Sequence, residues 1–272
     1  MGLFERLMND RAPVRNTLRF ALRTLGVGGY RFRLAAGALQ RQPYAYIMHQ
    51  GALLASRLGH ARISVLEFGV AGGGGLLEME RHATEIERLV PGVTFEIYGF
   101  DSGQGLPAPR DYRDLPYHWK PGFFAIDRSK LEVKLVRAKL VFGDVRDTTR
   151  TFFADHRPAP IAAVVHDLDF YSSTADALGL FADDPHFLLP RVYCYFDDTL
   201  GGETELYNDW TGELLAINEF NAAQPNVKIA PPPHLRVRDG GQAWRHQIWV
   251  SHRFDHPEYG RFVSDDDQQR PI

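Results

Sequence analysis

The sequence predicts an α/β fold: a doubly wound, mostly parallel sheet with a helical cap at its N-terminus. Three observations predict it. Short apolar runs alternate with stretches of helical period from residue 61 onward. A glycine-rich turn follows the first of those runs at once. Acidic residues stand where one run after another ends. The length, 272 residues, leaves room for one large domain or two small ones. A composition of 44% hydrophobic and 24% charged residues excludes disorder and collagen-like repeats.

Residues 1–60 read as helices, because Leu18, Ala21, Leu22 and Leu25 recur at helical spacing. A second helix is expected around Tyr46 to Leu58. Ile63 to Phe68 reads as a buried strand and runs directly into Gly69-Val-Ala-Gly-Gly-Gly-Gly75. Leu76, Met79, Ala83, Ile86 and Val90 then recur at alternating steps of 3 and 4, an amphipathic helix. Phe95 to Phe100 is the next strand and ends at Asp101. Further strands are expected at Lys139 to Phe142, Ile161 to Val165, Arg191 to Phe196 and Gln247 to Arg253. Helices are expected from about Ser173 and over about Thr211 to Ala222. The stretch from Gly103 to Lys130 has no period and carries Pro107, Pro109, Pro116 and Pro121 among Tyr112, Tyr117, His118 and Trp119. A long ordered loop in a compact domain is usually functional, often a lid. The expected organisation is a cap over 1–60 joined to a core over 61–272, with a lid-like insertion at about 103–130.

Charge is uneven along the chain. Residues 1–66 hold ten arginines against Glu5 and Asp10, a balance of +8, while the remainder sets 21 basic against 32 acidic residues, a balance of −11. A basic arm could touch an anionic ligand, a membrane surface or nucleic acid; the reading preferred is a helical cap over an acidic body. Tyr30, Phe32, Tyr44 and Tyr46 could stack on bases, but the acidic body and the absence of an Asn-Pro-Pro-Tyr-type motif argue against nucleic acid as a partner. The N-terminal helices are also the expected contact between copies of the chain. No run of 18 apolar residues occurs, so no membrane span is expected. Arginines at 6, 11, 15, 19 and 23 break up any signal-peptide stretch, and Cys194, the one cysteine, excludes an intrachain disulfide. Together these predict a cytoplasmic protein.

Ligands of open α/β sheets bind beyond the carboxyl ends of the strands. Glu67, Asp101, Asp167, Asp169, Asp197 and Asp198 are expected there. The glycine run offers close backbone approach and helix N-terminal amides. Its pattern, Gly69-x-Ala71-x-x-Gly74, is a loose dinucleotide fingerprint. Asp101, after the second strand, can accept hydrogen bonds from a ribose diol. Asp169, Asp197 and Asp198 end successive strands, and carboxylates that converge in a cleft either take up protons or attract a cation. An all-oxygen set favours Mg²⁺, Ca²⁺ or Mn²⁺. Asp167, two residues before Asp169, is expected on the same strand face, with His166 buried on the other.

These residues together resemble class I S-adenosylmethionine (SAM)-dependent methyltransferases, and within them the macrocin O-methyltransferase family. The matching stretches are Glu67 to Gly74, Tyr98 to Pro107, Gly143 to Thr148, Asp167 to Thr174 and Phe196 to Asp198. The resemblance implies a seven-stranded Rossmann-like methyltransferase sheet. It implies that Glu67, Gly69, Gly72, Gly73 and Gly74 hold the methionine end of SAM, that Asp101 and Ser102 hold the ribose, and that Gly143 and Asp144 lie near the adenine. It implies Mg²⁺ on Asp169, Asp197 and Asp198, Asp167 as general base, and a small-molecule acceptor, a sugar or other vicinal diol. The pattern departs at Ala71-Gly72, where the family has Trp-Arg, and at Gly103-Gln104, where it has Phe-Glu. The rival readings are an NAD(P)-dependent oxidoreductase, which leaves the Asp169, Asp197 and Asp198 group idle, and a non-catalytic binding protein of the same fold.

Overall fold

The structure, a computed structural model, describes residues 12–237 and 240–264. Arg6 and Arg11 of the basic arm, and the end of the chain from residue 265, lie outside the described residues. The cap comprises α1 (Ala12–Leu25), α2 (Tyr30–Ala36) and α3 (Gln42–Leu58). The core follows as β1 (Arg62–Phe68), α4 (Gly74–Leu89), β2 (Thr94–Asp101), α5 (Arg128–Glu132), β3 (Lys139–Phe142), α6 (Val145–His156), β4 (Ile161–His166), α7 (Tyr171–Leu178), β5 (Leu188–Phe196), α8 (Gly212–Ala223), β6 (Val227–Ala230), α9 (Pro233–Val237) and β7 (Ile248–Arg253). The strands form one seven-stranded sheet in the order β3-β2-β1-β4-β5-β7-β6. Five strands are parallel; β7 runs antiparallel between β5 and β6. This is the doubly wound sheet the sequence predicts.

Pleat alternation sets the two layers. Ile63 and Val65 of β1, with Ala163 and Val165 of β4, face α3 and α4; Leu66, Phe68 and Val164 face α6, α7 and α8. Full burial of such a side chain contributes about 1.5–3 kcal/mol. Because β1 and β4 are buried on both faces, they read as continuous apolar runs rather than alternating ones. β6 is a different case. Val-Lys-Ile-Ala is four residues at the sheet edge, too short for a period to show.

Two local expectations are corrected. β4 ends at His166, so Asp167 and Asp169 belong to the following loop, and the strand-face argument does not apply to them. Asp169 takes a left-handed backbone, φ 61°. The helix after β4 starts at Tyr171, two residues before the expected Ser173, and the side chain of its N-cap residue, Phe170, does not cap it. Asp114 of the insertion does so from outside, accepting Ser172 N at 2.8 Å and Ser172 Oγ at 3.0 Å. His166 is buried as expected, stacked between Phe68 and Phe196.

The insertion is folded on itself by two backbone bonds and pinned to the core at two points. Leu106 N donates to Phe123 O and Gly122 N to Leu106 O, each at 2.8 Å. Asp114 latches it to α7. Tyr117 Oη donates to Glu205 O at 2.6 Å, tying it to the loop after β5. No described helix is long and apolar enough to cross a membrane.

Candidate active site

A cleft of about 1040 Å³ opens at the carboxyl ends of the parallel strands, at the upper end of the range for small-molecule sites. One half is lined by Gly69, Ala71, Asp101, Ser102, Gly143 and Asp144, the other by Asp167, Asp169, Asp197, Asp198, Tyr195 and Tyr207.

The first half is built around Asp101, carried on the last residue of β2. Its Oδ2 accepts Val70 N at 2.9 Å and Ala71 N at 3.2 Å, and its Oδ1 accepts Gly103 N at 2.6 Å. One carboxylate thus shapes both the glycine turn and the start of the insertion. A carboxylate accepts about four hydrogen bonds, so one site is left for a ligand. Ser102 Oγ is engaged in its own turn, accepting Gln104 N and donating to Gly105 O. Asp144 caps α6 through Arg146 N at 2.9 Å. Gly69 is required at its position: at φ 83°, a Cβ there would stand 1.8 Å from Asp167 O.

Glu67, Gly72, Gly73 and Gly74 are not among the residues lining the cleft. Glu67 is buried beneath the turn, where a Cβ on Gly75 would stand 1.6 Å from its Oε1. It accepts Tyr44 Oη at 2.9 Å and the backbone N–H of Leu76, the third residue of α4. Burial pushes its pKa up to about 7, and its Oε2 has no hydrogen-bond partner.

The second half is anionic. Asp198 Oδ2 accepts Asp169 N at 2.9 Å, and its Oδ1 accepts Tyr207 Oη at 2.6 Å. Tyr195 Oη donates to Asp197 Oδ1. Glu213, fully buried on the first turn of α8, accepts Asp198 N at 2.9 Å. Burial, then the charges of Asp197, Asp198, Asp169 and Glu67, hold Asp167 well above the usual carboxylate range. Burial and the charges of Asp198 and Asp197 push Asp169 up to about 8. Burial is also the main cause for Asp198, at about 6.

The structure therefore brings the sequence-predicted Asp167, Asp169, Asp197 and Asp198 to one wall. Among the described residues, no three His, Cys, Asp or Glu side chains are arranged as a metal-ligand set. The chemistry of the donors still fits a hard divalent cation, since every group is oxygen and carboxylates of like charge converge there. Sequence reasoning missed Tyr195, Tyr207 and Glu213, for which neither spacing nor composition gives a signal. The rim is apolar, formed by Leu106, Pro107, Trp119, Phe124 and Leu200.

Two solved structures resemble the chain. The chain is similar to the O-methyltransferase NovP, with 14% identity, 89% of this chain and 99% of that chain covered, and a TM-score of 0.54. It is also similar to CalS11, a calicheamicin methyltransferase, with 22% identity, coverage of 80% and 88%, and a TM-score of 0.46. No protein-family model matches the chain, and no curated protein is significantly similar to it. The likeness to NovP shows the fold, a seven-stranded, mostly parallel sheet with flanking helices.

Proposed function

We propose that the protein is a SAM-dependent O-methyltransferase that methylates a hydroxyl of a small molecule, a sugar or other vicinal diol, with a divalent cation held by Asp169, Asp197 and Asp198. The observation that carries this reading is the two-part cleft. A turn-and-acid cradle, Gly69 to Ala71 with Asp101, shares one cavity with a wall of carboxylates. A cavity of about 1040 Å³ has room for a donor and an acceptor together. The carboxylate wall has no function in a nicotinamide enzyme, which disfavours the oxidoreductase reading.

Bound SAM supplies an electrophilic methyl group, and a bound divalent cation supplies charge that lowers the pKa of the acceptor hydroxyl. The chain does the rest. Asp101 and Ser102 face the ribose, and Gly143 and Asp144 line the adenine end. Asp167 would take up the proton of the acceptor hydroxyl on methyl transfer. Alignment of oxygen, methyl carbon and sulfur contributes up to about 7–11 kcal/mol. The insertion at about 103–130 covers the acceptor, with Trp119 and Phe124 as its apolar contact. Tyr30 and Tyr44 are buried and hydrogen-bonded within the fold, so they do not stack on nucleic acid. Phe20 and Leu25, exposed on α1, offer the surface for a contact between copies.

Titration calorimetry with S-adenosylhomocysteine, with and without Mg²⁺ and beside NADPH, tests the reading. The expected result is binding of S-adenosylhomocysteine and none of NADPH. Binding of NADPH alone would replace the methyltransferase reading with the oxidoreductase one. Silence with both would favour a non-catalytic protein.

A further inference from the structure

Arg41 stands apart from the other arginines of the N-terminal helices in where the backbone places it. It precedes α3 in a left-handed conformation, φ 40° and ψ 52°, which costs a non-glycine residue on the order of 1 kcal/mol or more. Its Nη2 lies 3.7 Å from the position a Cβ would take on Gly74, the first residue of α4. Its Nη1 donates to Tyr44 Oη at 3.1 Å, and Tyr44 Oη donates to Glu67 Oε1 at 2.9 Å. The guanidinium is thus tied to the glycine turn by a two-bond chain.

That placement sets like charge against like. α4 is 16 residues long, and its N-terminus carries partial positive charge. No acidic residue stands in its first turn. A guanidinium at that end is unfavourable unless anions offset it; the charges of Glu67, Asp167 and Asp197 act on Arg41, but no carboxylate of the described residues pairs with it directly. Glu67 meets the helix from within, but its Oε2 has no partner although the residue is 1% exposed. A ligand with both signs of charge in one small group satisfies this set of groups. An α-amino acid is such a group, with a carboxylate for the guanidinium and an ammonium for the carboxylates that surround it.

We propose that Arg41 binds the α-carboxylate at the amino-acid end of the cofactor, so that the N-terminal cap supplies part of the cofactor site. The assignment rests on the SAM reading above. A guanidinium pairs with a carboxylate through two parallel hydrogen bonds, which fixes orientation as well as contributing affinity. A Cβ on Gly74 would stand in ordinary van der Waals contact with Nη2, so the guanidinium lies directly against the start of α4.

The test compares S-adenosylhomocysteine with its decarboxylated analogue, which keeps the amine and loses only the carboxylate. Affinities are measured by calorimetry for the full chain and for the Arg41→Met and Arg41→Lys variants. The full chain is expected to prefer S-adenosylhomocysteine by about ten- to a hundredfold, the worth of a hydrogen bond between charged groups. Arg41→Met is expected to erase the preference and leave the analogue's affinity as it was; Arg41→Lys is expected to keep part of it. Equal weakening of both ligands in Arg41→Met would overturn the proposal, as would a preference that survives it or a full chain with no preference. A full chain that binds neither ligand would overturn the cofactor reading itself, a result distinct from these three.

Discussion

Asp167 and Gly75 show how much rests on single atoms. Asp167 lines the cleft, and burial with the charges of Asp197, Asp198 and Asp169 holds its proton affinity high. Replacement by asparagine preserves shape and removes the basic oxygen. Asp167→Asn is expected to lower kcat about 10²- to 10⁴-fold, the usual worth of a general base, with the affinity for S-adenosylhomocysteine unchanged. Single-turnover methyl transfer checks this, and near-normal turnover would remove Asp167 as base. Gly75 is a matter of space. A Cβ there meets Glu67 Oε1 at 1.6 Å, and the carboxylate is held by Tyr44 and Leu76. Gly75→Ala is therefore expected to destabilise the fold by about 1–3 kcal/mol, the usual cost of overpacking. An unchanged denaturation midpoint would mean that Glu67 has freedom to move which its contacts deny.

Among the elements, the insertion is the one whose behaviour follows from a single side chain. Asp114 is 1% exposed and accepts Arg110 N, Ser172 N and Ser172 Oγ, so it joins the insertion to α7. Asp114→Ala leaves those donors without a partner, at about 1–3 kcal/mol for each that stays buried. The variant is expected to be cut faster by protease between residues 103 and 126 and to show a raised KM for the acceptor, with S-adenosylhomocysteine binding retained. Cutting at the wild-type rate would show that Tyr117 and the insertion's internal bonds suffice. The elements also show what the sequence could tell. β1, β4 and α4 were legible because each is decided by burial, which leaves an apolar run or a 3–4 period. The insertion was visible only as a stretch without period, because side chain–backbone bonds far apart in sequence shape it. The carboxylate wall was legible because the carboxyl ends of the parallel strands point to one edge of the sheet. Tyr207 and Glu213 were not, since they reach Asp198 from a loop and a helix that no pattern relates to it. The same-face argument for Asp167 and Asp169 assumed strand geometry through Asp169, three residues beyond the end of β4.

On the scale of the whole molecule, the cap and the core are held together by buried polar groups whose pH responses oppose each other. His82 of α4 is 3% exposed; its Nδ1 meets Tyr30 Oη of α2 at 3.0 Å and its Nε2 meets Gln40 O at 3.0 Å. The neutral ring satisfies both bonds, donating to the carbonyl and accepting from the hydroxyl. Burial lowers its pKa to about 4 from the ordinary 6.5. The unfolded chain therefore takes up this proton first as pH falls. The stability His82 contributes is present above 6.5 and is lost between 6.5 and about 4. Glu67 works the other way. Its pKa is raised from 4.5 to about 7, so its contribution is full below 4.5 and is lost as pH rises through 7. Between pH 7 and pH 5 the two offset each other, and the full chain's own pH profile hides both. His82→Gln separates them, since it removes the titration and leaves Glu67 in place. At about 1.36 kcal/mol per pH unit, the stability gap between the full chain and His82→Gln is expected to narrow by about 2 kcal/mol from pH 7 to pH 5. Urea denaturation at the two pH values measures that gap. A gap of the same size at both would mean that His82 keeps an ordinary pKa in the fold, and that the joint between cap and core does not depend on its neutral form.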